Sequence, residues 1–415
     1  MVKSCIKRSK LKLQPHQKEV VEYLDNNRGV IAALGVGSGK TLTAVTSSQC
    51  FLDKNKNGVI VVVTPKSLEE NFKKEFKAYG TKNTKKYIFY TMRKFATTYN
   101  TKKFPSNAFL IIDEAHNLRT MTTQTNKKSP KKITKNRRQK VTASKVAIKA
   151  AKEAEKVLLL TATPLLNTPL DLINLVAMVK GTDQLTKNEF KKLNNKQLCD
   201  YFRNTIMFYK NPKGKDYPVV KEHQTYIPMT KEYYRKYRKI ETKRNKKFAN
   251  PFVFLTGLRQ ATNVIDPCLK CEKAIKIIKE GSQTLVYSAF ISRGIKIIQD
   301  KLKELGIKYV EVIGSMTKEQ RSAAVKKYNA GKVQVLFITK AGAEGLDLKG
   351  TRKVILLEKS WNRPVEEQVI GRAARYQSHT HLSPKEQKVD VYHFIITKPK
   401  KLDKDDKMPY SADQR

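Results

Sequence analysis

The chain has 415 residues, 40% of them hydrophobic, and its 84 Lys and Arg against 37 Asp and Glu leave a formal net charge of +47. That length asks for two or three domains, and the apolar share can build real cores, so a chain disordered throughout is excluded. The positive excess points to a polyanionic partner, a nucleic acid or an acidic membrane surface, while insertion into a bilayer is excluded because no apolar run approaches the ~20 residues it needs.

In chain order, Met1 to Lys12 is basic but lacks the apolar stretch of a secretory signal. Gly29–Leu34 then reads as an apolar strand, followed by a glycine-rich turn and a helix start at Thr41. Val59–Val63 is a second strand, with Thr64-Pro65 and a helix from Leu68 to Tyr79 behind it. Phe109–Ile112 ends in Asp113, and Val157–Leu160 ends in Thr161-Ala162-Thr163. Continuous apolar strands separated by helices predict a parallel sheet covered on both faces, with ligands at the carboxyl ends of the strands. From Gly181 to about Pro267 the chain is Lys-, Asn- and Tyr-rich. Strand alternation resumes with Thr284–Tyr287, Tyr309–Ile313, Val333–Ile338, Val354–Leu357 and Val389–Tyr392. The pattern predicts a first α/β lobe over 1–180, a basic helical linker over 181–268, a second lobe over 269–398 and a mobile charged tail over 399–415. Five scattered cysteines suit a reducing compartment, and Cys268 and Cys271, with no second pair or His nearby, read as bystander thiols rather than zinc ligands.

Gly35-Val-Gly37-Ser38-Gly39-Lys40-Thr41 sits between a strand and a helix, the setting of a phosphate-binding loop (P-loop). Its glycines let backbone N–H groups turn toward phosphate, Lys40 reaches the β and γ oxygens of ATP, and Thr41 offers a hydroxyl to Mg²⁺. Leu34 stands where the general pattern has its first glycine. Asp113-Glu114-Ala115-His116, a DEAH box, follows an apolar strand. Two adjacent carboxylates there need a facing cation, so Asp113 is expected to hold Mg²⁺ and Glu114 to orient or deprotonate the attacking water.

These motifs, with Thr64-Pro65-Lys66, Thr161-Ala-Thr163, Thr339-Lys-Ala-Gly342, Glu344-Gly345-Leu-Asp347 and Gln368-Val-Ile-Gly-Arg372-Ala-Ala-Arg375, resemble the ordered motifs of superfamily 2 helicases and translocases. Thr161-Ala-Thr-Pro164-Leu-Leu-Asn167 and the Trp361-Asn362 pair are similar to the Swi/Snf-type branch. The ending Arg375-Tyr-Gln-Ser378-His379-Thr-His-Leu382 resembles nucleoside triphosphatase I and early transcription factor small subunits of the poxvirus type, from large DNA viruses.

The resemblance implies two RecA-like lobes with ATP and Mg²⁺ between them. In it Arg372 and Arg375 serve as arginine fingers and Gln368 helps to place the water. Gln17 contacts the adenine, Gly345 and Asp347 belong to the nucleotide site, and Thr64, Lys66, Thr91, Thr339 and Lys340 contact nucleic-acid phosphates. Its function is movement on nucleic acid, with duplex DNA favoured over RNA, in viral transcription beside a viral RNA polymerase or transcription factor subunit. An RNA helicase of the DEAH type and a non-catalytic DNA-binding subunit are the competing readings. The expected location is intracellular, in the virion and the host cytoplasm or nucleus.

Two basic segments keep two readings each. Lys127 to Lys140 reads as a backbone grip or import signal, or as a solvated loop. Tyr233-Tyr-Arg-Lys-Tyr237-Arg-Lys reads as a strand-binding surface, or as a helix whose tyrosines pack against a lobe.

Overall fold

A computed structural model describes residues 2–81, 83–118, 135–162, 168–209, 216–247, 251–340, 346–360, 363–403, 406 and 408–415. The chain forms two compact units, Met1–Pro212 and Lys213–Arg415.

The first unit holds six parallel strands, β1 (Gly29–Leu34), β2 (Val59–Val63), β3 (Tyr87–Tyr90), β4 (Ala108–Ile112), β5 (Lys156–Thr161) and β6 (Ile206–Tyr209), in the order β3-β2-β4-β5-β1-β6. Alternate side chains serve opposite faces, as a pleated strand requires. Ile31, Val61, Val63, Leu110 and Ile112 pack with Phe95, Ala147 and Leu175 on one side. Val30, Ala32, Ile60, Val62 and Phe109 pack with Val20, Ala44, Phe51 and Phe72 on the other. Both faces are buried along the central strands β1, β2 and β4, which is why these are apolar at every position.

The second unit repeats the plan with β7 (Val219–Pro228), β8 (Thr284–Tyr287), β9 (Tyr309–Val312), β10 (Val335–Ile338), β11 (Lys353–Leu356) and β12 (Lys388–Thr397), in the order β7-β12-β11-β8-β10-β9. All are parallel. The two-lobe α/β architecture is therefore the one the sequence predicts. Among the described residues no helix is long and apolar enough to cross a membrane.

The segment 181–268, expected as a linker, is instead divided between the units. Two helices with reciprocal side-chain caps, Lys187–Lys192 and Asn195–Phe202, lead into β6, which pairs with β1. β7 pairs with β12 along all ten residues. β7 is an edge strand with one partner and a largely exposed surface, so its sequence carries no continuous apolar run.

The charged tail is also not free. Lys398 Nζ lies 2.7 Å from Glu241 Oε2 and 2.8 Å from Asp406 Oδ2, and Lys270 Nζ lies 2.7 Å from Asp413 Oδ2. Ser411, Ala412 and Asp413 are buried, Ala412 N–H donates to the Tyr237 hydroxyl at 3.0 Å, and Ile396 N–H donates to Asp413 Oδ2 at 3.1 Å. Charges that look solvated in the sequence are partners for cations buried elsewhere. Removing one partner of such a pair strands the other, so Asp413→Ala should cost the second unit about 3–5 kcal/mol in equilibrium urea unfolding. A cost below ~1 kcal/mol would mean that the tail is held by other contacts.

The cysteines also differ from expectation. Cys5 and Cys50 are joined as a disulfide with Cα atoms 5.4 Å apart, as are Cys268 and Cys271 at 5.2 Å, while Cys199 is exposed and free. Cys5 and Cys50 share a small buried cluster with Leu13 and Val21, a proximity that their spacing along the chain does not reveal.

Candidate nucleotide site and nucleic-acid contacts

The loop after β1 turns through Gly37 and Gly39, whose φ angles of 80° and 77° lie in the left-handed region that glycine adopts without strain. A side chain at position 39 would also run into the Gln17 amide. The Ser38 hydroxyl donates to Gly35 O at 2.7 Å, and the helix Lys40–Lys54 begins immediately, aiming its N-terminus at the loop. The Lys40 ammonium folds onto the loop carbonyls, 3.0 Å from Leu34 O and 3.1 Å from Gly35 O. Thr41 follows in the first helical turn.

Gln17 lies beneath this loop. Its Nε2 donates to Gly39 O at 3.1 Å and Ser38 O at 3.3 Å, and its Oε1 accepts from Gln14 N–H at 2.7 Å. His16 Nε2 lies 2.8 Å from Ser38 O, and its ring stacks on Tyr209 with centroids 4.1 Å apart. Tyr209 belongs to β6, a strand that the sequence pattern alone does not pick out. The short apolar run Ile206-Met-Phe-Tyr209 within a Lys/Asn-rich stretch is the signal that could have found it.

Asp113 stands at the carboxyl end of β4, two strands from β1 in the sheet. It is 7% exposed. Burial and then the neighbouring Glu114 carboxylate push its pKa up to about 6, against the opposing pull of Lys40. Its Oδ2 accepts from the Thr64 hydroxyl at 3.3 Å and its Oδ1 from Glu114 N–H at 2.9 Å. Glu114 has a φ of 52°, an uncommon backbone state for glutamate. Its Oε2 lies 3.2 Å from His116 Nδ1, which is also 3.2 Å from Thr161 Oγ1, so the ends of neighbouring strands β4 and β5 are tied through one imidazole.

Among the described residues no group of three or more His, Cys, Asp or Glu gathers to hold a metal. Mg²⁺ is usually held by one or two carboxylates together with substrate phosphates. A divalent cation would relieve the charge on the adjacent carboxylates of Asp113 and Glu114, so the residues fit. Thr41 and Asp113 would hold it, and it would supply charge neutralisation at phosphate oxygens.

The remaining expected contacts lie mostly at strand ends. Thr64 follows β2 and is buried, Lys66 opens the next turn and is exposed, and Thr339 and Lys340 follow β10, the first buried and the second exposed. The hydroxyl of Thr91 accepts from Lys94 N–H at 3.3 Å and caps the helix Met92–Tyr99.

In the second unit Gln368 and Arg372 lie on the helix Arg363–Ala373, with Arg372 9% exposed. Arg375 lies beyond the end of that helix. The Ser378 hydroxyl oxygen accepts the Arg375 N–H at 3.1 Å and so stops the helical ladder. Arg375 Nη1 donates to Leu346 O at 3.1 Å and lies 3.4 Å from Asp347 Oδ1, so the structure pairs two residues expected in the nucleotide site. Thr163, Asn167, Glu344, Gly345, Trp361, Asn362 and residues 119–134 lie outside the described residues.

His379, within the Arg375 to Leu382 ending, is a core residue. It is 1% exposed, with Nε2 2.7 Å from Thr351 O and Nδ1 2.8 Å from the Ser378 hydroxyl. Burial lowers its pKa below the ordinary 6.5. The unfolded chain therefore takes up a proton that the folded one refuses, and stability falls as pH drops below about 6.5. Unfolding midpoints from pH 7 to 5 should show this slope, at most ~1.4 kcal/mol per pH unit, and His379→Gln should remove its share.

Residues 10–166 match the family described as type III restriction enzyme, res subunit, and residues 269–377 match the helicase conserved C-terminal domain. A putative ATP-dependent RNA helicase of Acanthamoeba polyphaga mimivirus is 31% identical over 93% of this chain and 89% of its own length. An uncharacterized killer plasmid helicase of Kluyveromyces lactis is 24% identical over 91% of this chain, which spans 63% of that relative. Among solved structures, the Sulfolobus solfataricus SWI2/SNF2 ATPase core in complex with dsDNA matches over 94% of this chain and 89% of its own, at 19% identity and a TM-score of 0.39.

Proposed function

Since this chain belongs to superfamily 2 of the ATP-dependent helicases and hydrolyses ATP, we propose that it is a nucleic-acid-stimulated motor that moves along duplex DNA. The observation that carries the nucleotide half of this reading is the juxtaposition in the first unit. A glycine loop holds Lys40 at a helix N-terminus, and the same sheet presents Asp113 and Glu114 at the carboxyl end of β4, two strands away. Lys40 leaves the loop carbonyls to bind phosphate oxygens, and Glu114 accepts a proton from the attacking water. Arg372 and Arg375 supply the finger charges that the family resemblance implies.

The polynucleotide half rests on the net charge of +47 and on the exposed Lys66 and Lys340 beside the strand-end threonines Thr64 and Thr339. Duplex DNA is favoured by the Swi/Snf-type form of the Thr161 to Asn167 stretch. Work in viral transcription, beside a polymerase or factor subunit, is favoured by the ending from Arg375 to Leu382. RNA unwinding is the second reading, favoured by the name of the mimivirus relative.

The test compares ATP turnover and strand displacement with duplex DNA, single-stranded DNA and RNA. Duplex DNA should stimulate turnover most, without strand separation, and a footprint of ~6–10 phosphates should weaken about 10³–10⁵-fold between 50 and 200 mM salt. Stimulation by RNA alone, with separated strands, would establish the second reading in place of the first. A salt-insensitive complex would contradict the electrostatic account.

A further inference from the structure

The helix Lys231–Lys247 sorts its residues by chemistry. Tyr233, Tyr234 and Tyr237 are buried in the core of the second unit, and Glu241 is buried with them, bonded to Arg238 and Lys398. Packing, not strand binding, accounts for the tyrosines.

What the helix leaves outside is a row of cations. Lys231, Arg235, Lys239 and Lys243 are all exposed and recur every four residues. At 1.5 Å per residue they stand about 6 Å apart along a track of about 18 Å. The one acid on the exposed side, Glu232, is bound to Lys236 at 2.6 Å. Among the described residues no ion pair takes up any of these four cations. Like charges at this spacing cost a helix about 0.2–0.5 kcal/mol per pair, and among the described residues no ion pair offsets it.

We propose that this face is a nucleic-acid contact in its own right, beyond the strand-end residues, and that it holds the phosphate backbone. A duplex strand carries one phosphate per about 3.4 Å of axis, so cations about 6 Å apart meet roughly every second phosphate. With its tyrosines turned inward, the helix has no ring on that face to stack on a base. The contact therefore carries no sequence preference and reads charge alone. It rests on nucleic acid being the partner, and not on ATP hydrolysis.

The test uses the full chain with the triple variant Arg235→Glu, Lys239→Glu, Lys243→Glu. The control is Lys191→Glu, Lys192→Glu, Lys196→Glu, which makes the same change in net charge on exposed lysines of the first unit. Binding of a labelled mixed-sequence duplex DNA is measured from about 50 to 200 mM salt, alongside ATP turnover without nucleic acid. The helix variant should bind at least about tenfold more weakly, with its log–log salt slope reduced by about 2 to 3, while the control changes less than about threefold. Basal turnover should be equal in all three proteins, which shows that they are folded. Equal losses in the two variants would reduce the effect to bulk charge and overturn the proposal, as would unchanged binding by the helix variant. If wild type shows no hydrolysis and the helix variant alone still loses binding, the contact stands while the motor reading falls.

Discussion

Replacing Lys40 by alanine is expected to reduce ATP turnover on the order of 10³-fold or more while leaving nucleic-acid binding nearly intact. Lys40 Nζ folds back onto the carbonyls of its own loop and pulls against the raised pKa of Asp113, so its loss frees those carbonyls and lets that pKa rise further. The glycines that shape the loop, the helix N-terminus and Gln17 beneath it are unaffected, so a nucleotide can still be received. What disappears is the mobile cation of the loop, able to follow the charge on the β and γ phosphate oxygens. Turnover with saturating duplex DNA, and DNA affinity by titration, are the measurements. A variant retaining more than about a tenth of the turnover would take the phosphate role from Lys40.

Glu114→Gln should cost about 10²- to 10⁴-fold in turnover, the usual worth of a positioned proton acceptor, with ATP binding retained. The substitution keeps the size and the polar contact with His116. It removes one of two adjacent negative charges, and because Glu114 pushes the Asp113 pKa up, Asp113 moves back toward an ordinary carboxylate. Asp113, the proposed metal ligand, is therefore more readily ionised in the variant, so the loss of turnover is expected without loss of the carboxylate that the proposal gives to the metal. Single-turnover hydrolysis together with a nucleotide-binding titration separates the two steps. Equal losses in both would make Glu114 a binding residue and remove it from the chemistry.

Much of the site is legible in the order of residues alone. The phosphate loop and the Asp113-Glu114 pair each combine a local chain requirement with an apolar strand just before it. Glycines that need positive φ, a lysine at a helix start and carboxylates at a strand end are visible within a few residues. The fold brings the loop, Asp113, Glu114, Thr64 and Thr161 together in one sheet. It also changes details. Arg375 lies off the helix that carries Arg372, because Ser378 takes its N–H, and Thr91 caps a helix.

What the sequence determined by itself is the architecture of the two lobes: strands buried on both faces must be mostly apolar, and that requirement is written in the apolar runs of β1, β2, β4, β5, β8, β10 and β11. What only the tertiary structure decided is everything that depends on a distant partner. β6 and β7 are strands because β1 and β12 offer them edges. Asp406 and Asp413 of the tail pack into the second unit because Lys398 and Lys270 need their carboxylates, and Cys5 meets Cys50 because the helices Val2–Lys7 and Lys40–Lys54 lie against each other. Burial of a whole strand shows in the composition of that strand, whereas an edge, an ion pair or a cross-link is a relation between segments whose separation along the chain says nothing about their distance in space.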